Sequence, residues 1–165
     1  MISFVVHGRP QPQGSAKAFI PRGWNRAVIT TDNKNLKPWR QDVSASAIIA
    51  MRQAGKDLSV DAIHVDVAFF FLRPKSVKKS VTTKTTKPDI DKLVRGLLDG
   101  LTGICFRDDA QVVSVTASKG FCESNERAEI EVRVVAAEPG DVQQRQRGVE
   151  NSAGGLREVG RGVPV

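Results

Sequence analysis

The chain has 165 residues, of which 40% are hydrophobic and 5% aromatic, with no Tyr and a net charge of +7. This length suits one domain with its own core, and the shortage of aromatic side chains argues against an oligonucleotide-binding barrel that stacks bases. Because the sequence has no apolar run near the roughly 18 residues of a membrane span, no signal-peptide pattern and no metal spacing of its two cysteines, secreted and membrane classes are excluded and we expect a cytoplasmic protein.

Hydrophobic periodicity predicts six main elements. They are expected at residues 2–6, 38–55, 59–72, 91–102, 112–119 and 128–135. Pro38 fits the first turn of the first helix and Gly55 its end, whereas residues 9–37 form a long irregular segment with a ribbon at 26–31. The long strand is expected to be central, and the last two strands are expected to form a hairpin across residues 120–126. This order predicts a small α/β domain with a mixed sheet and two main helices.

The composition changes near residue 138. Residues 138–165 contain six glycines, no aromatic residue and equal numbers of acidic and basic side chains. Such a segment buries too little apolar surface to offset the entropy of ordering. We therefore expect one domain over residues 1–137 and a disordered Gly/Arg/Glu-rich tail over residues 138–165.

Positive charge is concentrated in two loop segments. Residues 9–40 hold seven basic residues against the single Asp32, and residues 73–87 hold six basic residues and no acidic one. Flexible cationic loops suit a phosphate backbone, because each neutralised phosphate releases counterions, although a solvated basic face without a partner gives the same pattern. The DNA-binding candidates are Arg9, Lys17, Arg73, Lys75, Lys78, Lys79, Lys84, Lys87, Lys92 and Lys119.

Four carboxylates form the candidate site. Pro88 prepares a helix entry, where Asp89 and Asp91 would face the same way and Asp91 would cap the helix. Asp108 and Asp109 precede the strand at residue 112, and the sheet edge is expected to bring them alongside the first pair. Such a group in a basic protein indicates Mg²⁺, which takes carboxylate, water and phosphate oxygens and can activate a phosphoryl group for attack. The alternative is that these residues only cap a helix and form a turn.

Three motifs identify a family. Lys87-Pro-Asp-Ile-Asp-x-Leu, Leu98-Asp-Gly-Leu-Thr-Gly and Asp108-Asp-Ala-Gln-Val-Val resemble the RusA-type Holliday junction resolvases of bacteria and their prophages. The opening Gly8-Arg-Pro-Gln-Pro-Gln-Gly14 is similar to a loop of that family. The resemblance covers about residues 1–136. It implies a homodimeric endonuclease that cuts four-way DNA junctions symmetrically in recombination and repair, and that depends on Mg²⁺, for which Mn²⁺ can substitute.

The same resemblance implies the residues that carry the chemistry. Asp89, Asp91 and Asp109 match the family's three essential aspartates, which are expected to be catalytic and to hold the metal, and Asp108 matches a less critical acid. The chain departs from the family at Lys92, where Asn is usual, and at Arg95, where Lys is usual. Arg95 keeps the charge and can clamp a phosphate as a catalytic residue, but it could not replace a lysine that donates a proton.

Two further expectations concern geometry. Lys119 ends a strand at the same parity as Asp109, which would aim it towards the acidic site. The dimer interface is expected to use the long apolar strand or the Trp39 helix rather than the tail.

Two other functions remain for comparison. A non-catalytic DNA-binding module of prophage origin would explain Lys92 and Arg95, and Mg²⁺-dependent nicking of a synthetic junction would separate it from a nuclease. A phosphoacceptor domain needs an acidic pair at the end of the first strand and a doubly wound parallel sheet, and the sequence has neither.

Overall fold

A computed structural model describes residues 1–14, 16–31 and 33–136, with residues 16–19 and 28–31 described by their backbone alone. Within those residues it contains six strands and two α-helices. One turn of 3₁₀-helix (Asp109–Gln111) stands directly before the fifth strand. The elements in chain order are β1 (Ile2–His7), β2 (Ala16–Phe19), β3 (Val28–Thr31), α1 (Leu36–Gln53), β4 (Ile63–Leu72), α2 (Ile90–Leu101), β5 (Val112–Cys122) and β6 (Arg127–Val134). The tail expected at 138–165 lies outside the described residues.

Four strands form one mixed sheet in the order β1-β6-β4-β5, and β2 pairs with β3 in a separate ribbon. β4 runs parallel to β5 and antiparallel to β6, and β1 is antiparallel to β6. β4 is therefore an interior strand, as predicted. Its side chains alternate between buried and half-buried, as expected for a strand with one face on the core. The prediction of a small α/β domain with a mixed sheet and two helices is confirmed.

The predicted hairpin of β5 and β6 is wrong, because β4 lies between these two strands. Residues 123–126 carry the chain past the carboxyl end of β4, where Cys122 pairs with Leu72 and Arg127 with Phe70. The link from β4 to β5 through α2 is a parallel crossover, which needs an intervening helix. The short link between β5 and β6 predicted that these two strands pair directly. Instead, the ten-residue strand β4 lies between them and pairs with both.

The core lies between the sheet and the two helices. Leu93, Leu97 and Leu101 are fully buried and follow one stripe of α2, as the helical spacing predicts. Gly55 closes α1 with a φ of 58°, which an L-residue with a side chain adopts only at a cost. Of the described helices, none is long and apolar enough to cross a membrane.

The two predicted dimer interfaces, on β4 and on the Trp39 helix, stay predictions, and the packing limits which parts of these elements a partner could contact. Both edges of β4 are paired within the sheet, so this strand has no free edge for a second copy. Trp39 is 3% exposed because it packs into the core. A partner could contact only the half-buried face of β4 or the outward side of α1, where Ile49 is 55% exposed.

Candidate functional site

Asp89 marks the entry to α2. It is the residue that precedes the helix, with an extended backbone, and its side chain makes no capping hydrogen bond. Asp91, which the sequence predicted as the cap, lies in the first turn instead. Both carboxylates are exposed. They are acceptor groups at the positive end of a helix dipole, where an anionic side chain or ligand is stabilised.

Lys119 holds the backbone just before Asp89. From β5 its Nζ donates hydrogen bonds to the carbonyl oxygens of Thr86 at 3.0 Å and Pro88 at 2.8 Å. Lys119 thus points towards the start of α2, as expected from the sequence. Its contacts there are with carbonyl oxygens of the loop before Asp89 and not with a carboxylate. Because Pro88 is bonded directly to Asp89, Lys119 fixes where the first carboxylate of the site begins.

Asp91 has a cation of its own. Lys92 Nζ donates to Asp91 Oδ2 at 2.8 Å. This hydrogen bond, more than any other contact, holds the pKa of Asp91 below its usual value. Lys92, which stands where the resemblance leads us to expect Asn, therefore puts an internal competitor beside a candidate metal ligand.

A cleft of about 420 Å³ opens between the loop of residues 8–14, called here the N-terminal loop, and the start of α2. The loop is docked by the Gln13 backbone N–H, which donates to the Lys92 carbonyl oxygen at 2.8 Å, and by Asn33 Nδ2, which donates to the Pro12 carbonyl oxygen at 3.0 Å. Ten residues line the cleft: Arg9, Pro10, Gln11, Pro12, Gln13, Asn33, Lys87, Pro88, Asp89 and Lys92.

Two glycines of α2 allow this close packing. A Cβ at Gly96 would lie 3.0 Å from the Gln11 carbonyl oxygen, and one at Gly100 would lie 2.9 Å from Val43 Cγ1 of α1. Gly96 thus lets the N-terminal loop approach the helix that carries Asp91. Neither role was predicted from the sequence. The only signal available was two glycines four residues apart on the buried side of a helix.

Most of the predicted DNA-binding residues are solvent-accessible. Arg9, Lys75, Lys78, Lys79 and Lys87 are exposed. Lys92 and Lys119 are half-buried at the start of α2 and the end of β5. Lys17 lies in β2, where only the backbone is described.

Arg73 is not the exposed loop cation that the sequence predicted. Its side chain is 10% exposed, and its Nε donates to Glu123 Oε1 at 2.8 Å. Nη1 donates to the carbonyl oxygens of Lys78, at 3.0 Å, and Val81. The guanidinium also lies over the Phe121 ring. Arg73 therefore stabilises the fold of the basic loop, residues 73–87, instead of offering its charge to DNA.

Lys84 is also buried, at 9% exposure, which contradicts its expected place on the surface. Its Nζ donates to Thr86 Oγ1 at 2.6 Å and lies over the rings of Phe71 and Phe121. Burial, followed by the nearby charge of Lys119, lowers the pKa of Lys84. Together with Lys119 it fixes Thr86, two residues before Pro88.

Asp108 and Asp109 lie at the far end of α2, just before β5. Asp108 caps the 3₁₀ turn: its Oδ1 accepts from the Ala110 N–H at 2.8 Å, and its own N–H donates to Gln111 Oε1 at 2.9 Å. The Gln111 side chain also donates to the carbonyl oxygens of Ser59 and Asp61. Asp109 is exposed. Asp108 is exposed as well, so the two acids differ in role and not in access: the cap gives Asp108 a structural role that Asp109 does not share.

The expectation that one chain brings all four carboxylates together is wrong. α2 has 12 residues, which corresponds to about 18 Å at a rise of about 1.5 Å per residue. Asp89 precedes this helix and Asp109 follows it, because the crossover returns the chain to the other end of the sheet. Within the part of the chain that is described, no three His, Cys, Asp or Glu side chains form a group that could hold a metal ion.

Arg95 is exposed one turn after Asp91. One turn further along the helix, Asp99 accepts a hydrogen bond from Arg40 of α1, which also donates to the Gln13 side chain. Asp99 thus belongs to the contacts that join α1, α2 and the N-terminal loop. Asp91, Arg95 and Asp99, spaced four residues apart, form an exposed row along α2, and its last member has a structural partner.

Comparison with known proteins bears on this arrangement. Residues 8–134 match the family described as endodeoxyribonuclease RusA. The chain belongs to the RusA family. This confirms the family that the motifs indicated, and it supports nuclease activity. The chain is also 32% identical over 146 residues, 82% of its own length and 98% of the relative's, to the uncharacterized protein YqaN of Bacillus subtilis (strain 168).

Proposed function

We propose that this RusA-family protein is a divalent-metal-dependent endonuclease that resolves Holliday junctions by paired phosphodiester cleavage. The observation that carries the proposal is the position of Asp89, at the mouth of α2 in a cleft bordered by Arg9, Lys87 and Lys92. An acid in this setting suits a cation that is shared with a phosphate oxygen. A DNA substrate of bacterial or prophage recombination and repair implies action in the cytoplasm.

DNA is bound, in this proposal, by the exposed cations on either side of the cleft. Arg9 lies on the N-terminal loop, and Lys75, Lys78 and Lys79 lie on the basic loop. Two buried cations stabilise that second loop. Arg73 donates to Glu123, and Lys84 donates to Thr86 and lies over the Phe71 ring. The two loops can therefore follow a phosphate backbone that passes over the start of α2.

Asp89 and Asp91 fit a hard cation in chemistry and exposure. Both offer carboxylate oxygens at the surface, and Mg²⁺ binds through one or two carboxylates while keeping waters and substrate oxygens; Mn²⁺ can substitute. A bound ion there supplies Lewis-acid polarisation of the phosphoryl group. Arg95 is placed to clamp a phosphate next to Asp91. Lys119 keeps the Asp89 backbone in place.

Asp109 enters this site only from a second copy of the chain. Within one chain, α2 lies between Asp89 and Asp109 and is about 18 Å long. A homodimer in which the start of α2 in one copy meets the start of β5 in the other would supply the third acid. Two such sites related by a two-fold axis suit paired cuts across a four-way junction.

The direct test measures cleavage of a labelled four-way junction with and without Mg²⁺. Asp89→Asn, Asp91→Asn and Asp109→Asn each remove a charge and a ligand, so cleavage should fall by roughly a hundredfold or more. Junction binding should persist or tighten, because one negative charge is lost near phosphates. Asp99→Asn is the matched control on the same helix; it keeps an acceptor for Arg40 and should lower cleavage far less than the other three changes. Wild-type cleavage by Asp89→Asn and Asp91→Asn would refute the proposal.

Mixing two inactive variants tests the shared site. In a heterodimer of Asp89→Asn with Asp109→Asn, one site keeps both wild-type acids if they come from different copies. Mixing should then restore cleavage of one strand. If both acids came from the same copy, each site would hold one substitution and the mixture would stay inactive.

The Lys92–Asp91 ion pair favours one alternative, a DNA-binding module that has lost catalysis. In that case the wild-type protein would bind junctions with strong salt dependence but would not cut them at any concentration of Mg²⁺ or Mn²⁺. The cleavage assay therefore separates the two functions.

A further inference from the structure

The ribbon of β2 and β3 begins and ends beside the candidate cleft. Its two strands run antiparallel to each other. The chain enters the ribbon from Gln13, whose N–H donates to the Lys92 carbonyl oxygen at 2.8 Å, and leaves it towards Asn33, whose side chain donates to the Pro12 carbonyl oxygen at 3.0 Å. Gln13 and Asn33 both line the cleft that contains Asp89. Both ends of the ribbon are therefore fixed at the candidate site.

A tight turn joins the two strands of the ribbon. The Trp24 N–H donates to the Pro21 carbonyl oxygen at 3.0 Å, and Gly23 between them has a φ of 88°. These features fit a type II turn, whose third residue needs a positive φ and is therefore usually Gly. Each strand has four residues, which corresponds to about 13 Å at a rise of about 3.3 Å per residue. The turn thus lies one strand length from the fixed ends of the ribbon.

This turn exposes two large apolar side chains. Trp24 is 61% exposed and Ile20 is 64% exposed. The other tryptophan of the chain, Trp39, is 3% exposed and packs into the core. Isolated apolar side chains on a surface are ordinary, but an indole and a branched aliphatic side chain exposed on the same turn form a candidate contact surface.

The charge around the turn indicates the class of ligand. Arg22 and Arg26 stand on either side of Trp24 in the sequence, and both are exposed. Between residues 8 and 31 the sequence has four basic residues and no acidic one. An indole flanked by guanidinium groups suits a nucleic acid, because a base can stack on the ring while the cations pair with phosphates.

We propose that this turn, residues 20–26, recognises the branch point of a DNA junction, with Trp24 stacked on a base pair there and Arg22 and Arg26 on neighbouring phosphates. The proposal rests on the proposed function for its ligand, branched DNA. In a continuous duplex each base pair is covered by its neighbours, so a ring can insert only by unstacking a step. The stack is interrupted at a branch point, and the cost of insertion is smaller there. Trp24 therefore favours junctions over duplex, whereas the two arginines bind both.

The first test is the fluorescence of Trp24 while the full-length protein is titrated with a synthetic four-way junction. Divalent metal is left out, so that no strand is cut. Stacking on a base should quench the exposed indole, and a duplex of equal length should quench it far less. Trp24→Phe, which leaves only the buried Trp39, should abolish the change in emission. Equal quenching by junction and duplex, or no quenching when the junction binds, would overturn the proposal.

The affinities of variants separate stacking from charge. Trp24→Ala should lower the ratio of junction affinity to duplex affinity by about tenfold or more, as expected when one stacked base is lost, and Trp24→Phe should keep most of that ratio. A double Arg22→Ala and Arg26→Ala variant should weaken binding of both DNAs and leave the ratio nearly unchanged. Ile49→Ala, at a 55% exposed side chain of α1, is the control and should bind as the wild type does.

The role of Trp24 and the nuclease activity can fail separately. An unchanged affinity ratio in a folded Trp24→Ala variant, checked by circular dichroism, would overturn the role of the turn even if the wild type cuts junctions. Quenching that is selective for the junction, in a protein that cuts no junction with Mg²⁺ or Mn²⁺, would support the turn and refute the nuclease.

Discussion

Lys119 and Pro88 are joined by a 2.8 Å hydrogen bond from the lysine Nζ to the proline carbonyl oxygen. The bond links the end of β5 to the residue before Asp89, so the sheet determines where the first carboxylate of the candidate site lies. A second bond to the Thr86 carbonyl oxygen fixes the same loop. Lys119 therefore serves the site by positioning Asp89.

Lys119→Met should weaken metal binding and cleavage together by about tenfold to a hundredfold, the range expected when a residue that orients a ligand is lost. Calorimetric titration with Mn²⁺ and the junction assay measure the two effects. Lys119→Arg keeps donors at this position and should recover part of both. An unchanged metal affinity in a folded Lys119→Met variant would show that the loop does not need this contact.

Replacing Lys75, Lys78 and Lys79 together by Ala should weaken junction binding and flatten its dependence on salt. If about six phosphates are engaged, wild-type affinity should fall on the order of a thousandfold between about 50 and 200 mM salt. Three fewer contacts should reduce the slope of log affinity against log salt by nearly three. A double Arg52→Ala and Lys56→Ala variant, which changes exposed cations at the end of α1, is the control. An unchanged slope in the triple variant would remove these lysines from the interface.

The sequence predicted the elements better than their arrangement. Strand β4 and the buried stripe of α2 followed from local periodicity, since each is set by which residues face the core. The pairing of β5 with β4 in place of β6 did not follow, because the choice of a strand's neighbour depends on distant parts of the chain. The position of Asp109 relative to Asp89 depends on the same crossover, and for that reason the carboxylates were wrongly expected to meet.

The sequence also could not predict which individual basic side chains are exposed. A run of basic residues among Pro, Ser and Thr predicts a solvated loop, yet Arg73 and Lys84 turn inward. The charged group of each lies over an aromatic ring of β4 or β5 and donates a hydrogen bond to an oxygen of the loop itself. Such contacts between a cation and a ring offset part of the cost of burial, and only the folded arrangement reveals them.

Gly100→Ala should destabilise the domain. A Cβ at this position would meet Val43 Cγ1 at 2.9 Å, so α1 and α2 would have to move apart at a cost of about 1–3 kcal/mol. Denaturant unfolding of the variant measures this. Combining it with Val43→Ala, which removes the contacting methyl groups, should cost less than the two single changes added together. Additive effects would mean that the helices do not meet at this point.

Lys92→Asn should strengthen metal binding. In the wild type, Lys92 donates to Asp91 at 2.8 Å and lowers the pKa of that carboxyl, so a divalent cation must compete with an ammonium group for Asp91. Asn removes the competing charge, and the pKa of Asp91 should rise towards its ordinary value. The Mg²⁺ concentration for half-maximal cleavage should therefore fall several-fold. As the pH falls towards the ordinary carboxyl pKa, Asp91 of the variant should be protonated first, because Lys92 no longer opposes its protonation. The variant should therefore lose its metal at a higher pH than the wild type does.

The matched control for this change is Lys87→Asn. Lys87 is exposed in the same cleft, and its loss removes the same charge without touching Asp91. Both variants should bind junctions slightly more weakly, each by the effect of one phosphate contact. Only Lys92→Asn should shift the Mg²⁺ dependence beyond the general effect of one lost positive charge. Equal shifts in the two variants would mean that the net charge of the cleft, and not the Lys92–Asp91 ion pair, sets its affinity for the metal.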